Sequence, residues 1–121
     1  IHFGRLTDLL DKTISSGGKL IHGGERDENF NFLSPTLISD ISIENPIFQE
    51  EIFGPILPIL TYKKLEEVIE NINKTEKPLA LYIFSKSRKN KQLILNNTSS
   101  GTTAINETTI QFAQPHLPFA A

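Results

Sequence analysis

The chain is 121 residues long, enough for one domain or part of a larger one. Hydrophobic residues make up 38% and charged residues 21%, which places it among globular rather than disordered chains. A formal net charge of -2 argues against a nucleic-acid surface, and the absence of cysteine excludes disulfides, thiolate metal sites and a thiol nucleophile within these residues.

No apolar run approaches the roughly 20 residues that span a bilayer, and no signal-peptide pattern is visible. The plain reading is a cytoplasmic protein with no membrane segment. The sequence opens at Ile1, contains no methionine and closes on Pro118-Phe119-Ala120-Ala121, so both ends read as interruptions.

In chain order, Phe3, Leu6, Leu10 and Ile14 recur at helical spacing, and Leu9 widens the stripe. Gly17-Gly18 stops the pattern, which predicts a helix over about 4–16 with one buried face. Lys19 to His22 is a short strand candidate, and Gly23-Gly24 with the polar run Glu25 to Asn31 reads as a loop. Pro35 opens a second apolar stretch, Thr36 to Ile41. Ile56 to Tyr62 reads as a buried strand. Leu65, Val68, Ile69 and Ile72 then fall on one face of a helix over about 64–74.

Leu79 to Phe84 is another apolar run, so strand, helix and strand form a βαβ unit with the two strands parallel. Ser85 or Ser87 caps a second helix over about 87–97, Gly101 ends it, and Thr102 to Asn106 is a third strand. The expected fold class is α/β, a partial open parallel sheet of βαβαβ order with strands covered by helices. Residues 107–121 read as a loop, and no internal repeat or linker divides the chain.

Pro46 to Pro55 carries two adjacent carboxylates, an aromatic residue and a Gly-Pro turn just before a strand. Ligands of open α/β sheets gather at such connections. A carboxylate there can accept two hydroxyl hydrogen bonds, as from a ribose, and a ring can pack on a flat heterocycle. On the residues alone, a solvated acidic turn with a core phenylalanine explains the segment better.

Gln49-Glu50-Glu51-Ile52-Phe53-Gly54-Pro55 resembles a signature of the aldehyde dehydrogenase superfamily. His2-Phe3-Gly4-Arg5-Leu6, Gly17-Gly18-Lys19, Gly23-Gly24, Ser34-Pro35-Thr36-Leu37 and Glu76 to Tyr82 resemble the same family in the right order, as do Ser99-Ser100-Gly101, Ile105-Asn106 and Leu117-Pro118-Phe119. The details are most similar to the class that includes fatty and aromatic aldehyde dehydrogenases. The resemblance departs at the end, where Ala120-Ala121 stand in place of glycines.

The resemblance implies that residues 1–121 are the later part of the catalytic domain, without the cofactor domain. It implies that Glu51 binds the hydroxyls of the nicotinamide ribose of NAD or NADP and that Phe53 packs near the nicotinamide. Glu50 is structural or solvent-facing, Asn106 is structural first, and Phe112 faces the aldehyde substrate. The implied chemistry is oxidation of an aldehyde to a carboxylic acid. A cysteine thiolate forms a thiohemiacetal, hydride leaves, and a glutamate-activated water hydrolyses the thioester. That cysteine and glutamate lie upstream, so no catalytic residue stands in this chain, which is expected to be inactive alone. Its partners are the remainder of the dehydrogenase chain and, as in the family, further copies in a homo-oligomer. A related acyl-group reductase and a non-catalytic truncated or assembly module of the same fold are the alternatives.

Other patterns carry less. His2, His22 and His116 show no ligand spacing, so no metal site is expected. The N-x-[ST] patterns at Asn73, Asn96, Asn97 and Asn106 read as chance matches. Lys86, Arg88, Lys89 and Lys91 read as a solvated helix start. Alone, the chain is expected to expose apolar surface and unpaired strand edges, and so to self-associate.

Overall fold

The structure is a computed structural model that describes residues 1–108. The chain divides into two compact units, Ile1–Thr61 and a second beginning at Tyr62.

The first unit opens with helix α1, His2–Ser15. Its apolar stripe buries Leu6, Leu9 and Leu10. Gly17 takes φ 102, the amide of Gly17 donates to the Ile14 carbonyl and that of Gly18 to the Thr13 carbonyl. This paired bond pattern closes the helix end around a left-handed residue, which glycine adopts without steric cost.

Strand β1, Lys19–His22, follows, and then β2, Arg26–Asp27, and β3, Phe32–Leu33, which pair antiparallel. The segment expected to be a loop is therefore a small hairpin. Asp27 accepts from the Asn29 amide, and Asn31 takes the left-handed conformation that polar side chains tolerate. These are turn signals embedded in a polar run.

Strand β4, Thr36–Ser39, lies between β1, antiparallel, and β5, Ile56–Pro58, parallel. The Ser34-Pro35-Thr36 corner is tied by its own polar atoms. Thr36 Oγ1 accepts from the Gly24 amide at 3.0 Å, and Ser34 Oγ accepts from the Glu25 amide at 3.1 Å. A Cβ on Gly23 would sit 2.1 Å from the Pro35 carbonyl oxygen, so only glycine fits. Leu33, Ile38, Ile47 and Ile56 complete the core against α1.

Strand β5 is shorter than the run Ile56 to Tyr62 and is not buried on both faces. Ile56 is buried, while Leu57 is 59% exposed. Successive side chains on a strand point to opposite faces, and only one face of β5 meets the α1 core.

The second unit contains α2, Leu65–Lys74, β6, Ala80–Ile83, α3, Arg88–Asn97, and β7, Thr102–Ile105. Glu66 and Glu67 lie in the first turn of α2 and Lys74 in the last, which complements the helix dipole. Ser87, rather than Ser85, caps α3: its Oγ accepts from the Asn90 amide at 3.1 Å. β6 and β7 pair in parallel from Ala80↔Thr102 to Ile83↔Ile105. The fold class is α/β with a partial parallel sheet, and the order β5-α2-β6-α3-β7 is the expected one. Within the first unit β5 hydrogen-bonds to β4, and within the second β6 to β7.

No helix of the described residues is long and apolar enough to cross a membrane.

Candidate functional site

The segment singled out in the sequence lies in the first unit, between a 3-10 turn, Pro46–Phe48, and β5. Asn45 starts the turn, its side chain accepting from the Ile47 amide at 3.1 Å, and Ile47 is 1% exposed. At the far end the Pro55 carbonyl accepts from the Thr36 amide at 2.8 Å. The loop from Gln49 to Gly54 is thus anchored on both sides.

Its middle is held by the first turn of α1. Residues three apart on a helix share a face, so His2 and Arg5 approach the loop together. Arg5 donates to the Glu50 carboxylate at 3.0 Å and to the Glu51 carbonyl at 3.4 Å, and also to the Ile52 carbonyl. His2 Nε2 donates to the Phe53 carbonyl at 2.7 Å, while its Nδ1 lies 3.4 Å from Arg5 and accepts from it. These roles define the tautomer with the proton on Nε2.

Phe53 takes φ 48, a left-handed conformation disfavoured for a bulky residue, and is 75% exposed. The core-phenylalanine reading of this position is thereby corrected. Partly buried Ile52 packs against the core, and the ring of Phe53 is turned out on the left-handed backbone. Gly54 lies tight against α1. Glu51 is exposed, and its carboxylate has no partner among the described residues. Glu50, expected to be structural or solvent-facing, pairs with Arg5 at 3.0 Å while its side chain stays 47% exposed. Beside the loop an open cleft of about 540 Å³ is lined by Phe3, Leu6, Phe32, Phe53 and Pro55 among others.

The structure thus brings Glu51 and Phe53 together on one anchored loop. Asn106 lies in the second unit with φ 57. Its amide donates to the Ile83 carbonyl at 2.7 Å and its Oδ1 accepts from the Ser85 amide at 2.8 Å, a structural role joining the ends of β6 and β7. Phe112, His116 and Ala120-Ala121 lie outside the described residues. Among the described residues no group of three or more histidine, aspartate or glutamate side chains could hold a metal ion.

Sequence reasoning did not assign roles to His2 and Arg5. His2 falls in line with Leu6 and Leu9 at helical spacing, with Arg5 at the edge of the same stripe, and that placement beside the buried face was the available signal. Nothing in it indicated that their partners would be backbone carbonyls more than 45 positions away.

One further pair bears on this unit. Arg26 donates to Asp11 at 3.1 Å, which ties the hairpin to α1. The hydrogen bond from Arg26 is the main reason that the Asp11 carboxyl titrates below its ordinary value. Partial burial opposes the shift, and the Arg26 charge adds to it.

The chain belongs to the aldehyde dehydrogenase family, whose model matches residues 1–120. It is 45% identical over 118 residues to the 4,4'-diaponeurosporen-aldehyde dehydrogenase of Staphylococcus aureus, a match covering 98% of this chain and 25% of that protein. It is 41% identical to the dimeric NADP-preferring aldehyde dehydrogenase of Rattus norvegicus, again over 98% of this chain and 25% of the relative. The solved substrate-bound state of Staphylococcus aureus AldH superimposes with a TM-score of 0.91 at 44% identity, covering 98% of this chain and 25% of that one. The chain therefore spans about a quarter of the length of these relatives.

Proposed function

We propose that residues 1–121 are the later part of the catalytic domain of an NAD(P)-dependent aldehyde dehydrogenase that oxidises an aldehyde to a carboxylic acid. In this reading Glu51 and Phe53 hold the nicotinamide end of the cofactor. The nucleophilic cysteine and the cofactor's main binding domain belong to other parts of the enzyme, so this chain supplies binding and orientation rather than a catalytic group. The remainder of the dehydrogenase, and further copies of it in a cytoplasmic homo-oligomer, are its partners, and Phe112 faces the aldehyde.

The observation that carries the reading is a carboxylate unpartnered among the described residues, two residues from an outward-facing ring on a loop anchored at both ends. A carboxylate that meets no donor among the described residues suits the vicinal hydroxyls of a ribose. An exposed aromatic face at the edge of an apolar cleft suits a flat heterocycle. When bound, the nicotinamide accepts the hydride that the aldehyde carbon gives up. Holding it by two preformed contacts limits the orientations in which transfer fails.

Glu51→Gln in the intact dehydrogenase tests this. A hydrogen bond to a charged group contributes about 1.5–3 kcal/mol, so the KM for the preferred cofactor should rise about tenfold or more. Thermal stability should change little, because the carboxylate has no partner to lose among the described residues. An unchanged KM for both NAD+ and NADP+ would overturn the assignment.

A further inference from the structure

We infer that His2 and Arg5 are positioning residues for the cofactor loop, acting on its backbone so that Glu51 and Phe53 are presented to the nicotinamide end. The inference rests on the assignment of Glu51 and Phe53 above.

Three successive carbonyls, those of Glu51, Ile52 and Phe53, accept from two side chains one helical turn apart. No strand or helix pairs this segment, so the two side chains take the place of a ladder. The residues between and beside the contacts then alternate in environment: Ile52 against the core, Glu51 and Phe53 exposed. The left-handed backbone at Phe53 is an unfavourable local state that persists only where surrounding bonds over-determine it. The His2 bond to the Phe53 carbonyl acts at that residue.

The two grips differ chemically. Arg5 reaches the Glu50 carboxylate and two carbonyls at once, which a planar fork of five donors can do and a lysine ammonium cannot. His2 requires one donor at the reach of Nε2, which a glutamine amide can supply and a phenylalanine ring cannot. Neither residue need touch the cofactor for its loss to be felt in cofactor binding.

The test measures KM for NAD+ and NADP+, and kcat at saturating cofactor, in the intact enzyme carrying Arg5→Lys, His2→Phe, His2→Gln or, as reference, Glu51→Gln. Arg5→Lys and His2→Phe should each raise the preferred cofactor's KM about tenfold while kcat falls less than about threefold, and His2→Gln should restore KM to within about threefold of the parent. A purely structural role would instead lower the active fraction, reducing kcat with KM unchanged. That result, or an unchanged KM in both variants while Glu51→Gln still raises it, overturns the positioning role and leaves the Glu51 assignment standing. An unchanged KM in Glu51→Gln removes the assignment, and the inference with it.

Discussion

A Cβ added to Gly54 would lie 2.6 Å and 2.7 Å from the two methyl carbons of Leu6, closer than carbon atoms pack. Leu6 is 5% exposed and belongs to the core stripe of α1. The loop carrying Glu51 and Phe53 therefore packs on the helix that holds it at a residue without a side chain. Gly54→Ala should force either Leu6 or the loop to shift, a strain of about 1–3 kcal/mol. The expected outcome is a lower unfolding temperature together with a raised cofactor KM. A variant with both values intact would show that the contact relaxes freely.

Phe53 allows stability and binding to be separated. Phe53→Gly removes the left-handed penalty, about 1–2 kcal/mol, although it also loosens the unfolded chain. Phe53→Ala keeps most of the penalty and loses the ring. Both should weaken cofactor binding, but Phe53→Gly should be the more heat-stable of the two. The reverse order in a thermal melt would contradict the left-handed conformation.

Asn106 offers the parallel case in the second unit. Asn106→Gly keeps the backbone conformation and loses the acceptor for the Ser85 amide, whereas Asn106→Ala loses both. Alanine should therefore be the more destabilising by about 1 kcal/mol. Equal unfolding midpoints in denaturant would show that the left-handed backbone at this position carries no cost.

Asp11 and Arg26 predict a pH dependence. The folded-state pKa of Asp11 lies below its ordinary value, so the pair stabilises the fold above the unfolded pKa of about 3.9, and this is lost as pH falls through the folded value. Both side chains are substantially exposed, which limits the effect to about 1 kcal/mol or less. Asp11→Asn should be slightly less stable than the parent at about pH 6, and the gap should narrow as pH falls below about 4 and close below the folded value. A gap that does not change at all as pH falls from about 6 into the acid range where Asp11 is protonated would assign it to packing rather than charge.

The isolated chain should self-associate. Leu57 and Phe84 are 59% and 64% exposed, and among the described residues β1 lies at the edge of its sheet with Leu20 and Ile21 also exposed. Unpaired edges and apolar surface favour contacts between copies. Sedimentation should show mass rising with concentration, and a clean monomer at high concentration would count against it.

Much of the fold was legible because it depends on neighbours in sequence. The apolar spacing from Phe3 to Ile14, the glycines after α1 and the serine before α3 each act within a few residues, and the corresponding elements stand where the pattern placed them. The hairpin of Arg26 to Leu33 was missed because its strands are two residues each, too short to show a period. The extent of β5 was overread because a continuous apolar run does not reveal which of its residues face a partner.

The sequence by itself determined the α/β order of elements, the family motif around Glu51 and Phe53, and the turns that need glycine, since these follow from local chemistry and from residue identity. Tertiary structure decided the rest: that β5 pairs with β4, that Phe53 faces outward rather than into a core, and that His2 and Arg5 take the carbonyls of Glu51, Ile52 and Phe53. Those outcomes join residues between about 20 and 51 positions apart. No periodicity encodes which of the many sterically possible long-range partners a carbonyl or a strand edge will meet. Only the closed core, with Leu6 against Gly54, brings these groups within hydrogen-bond reach.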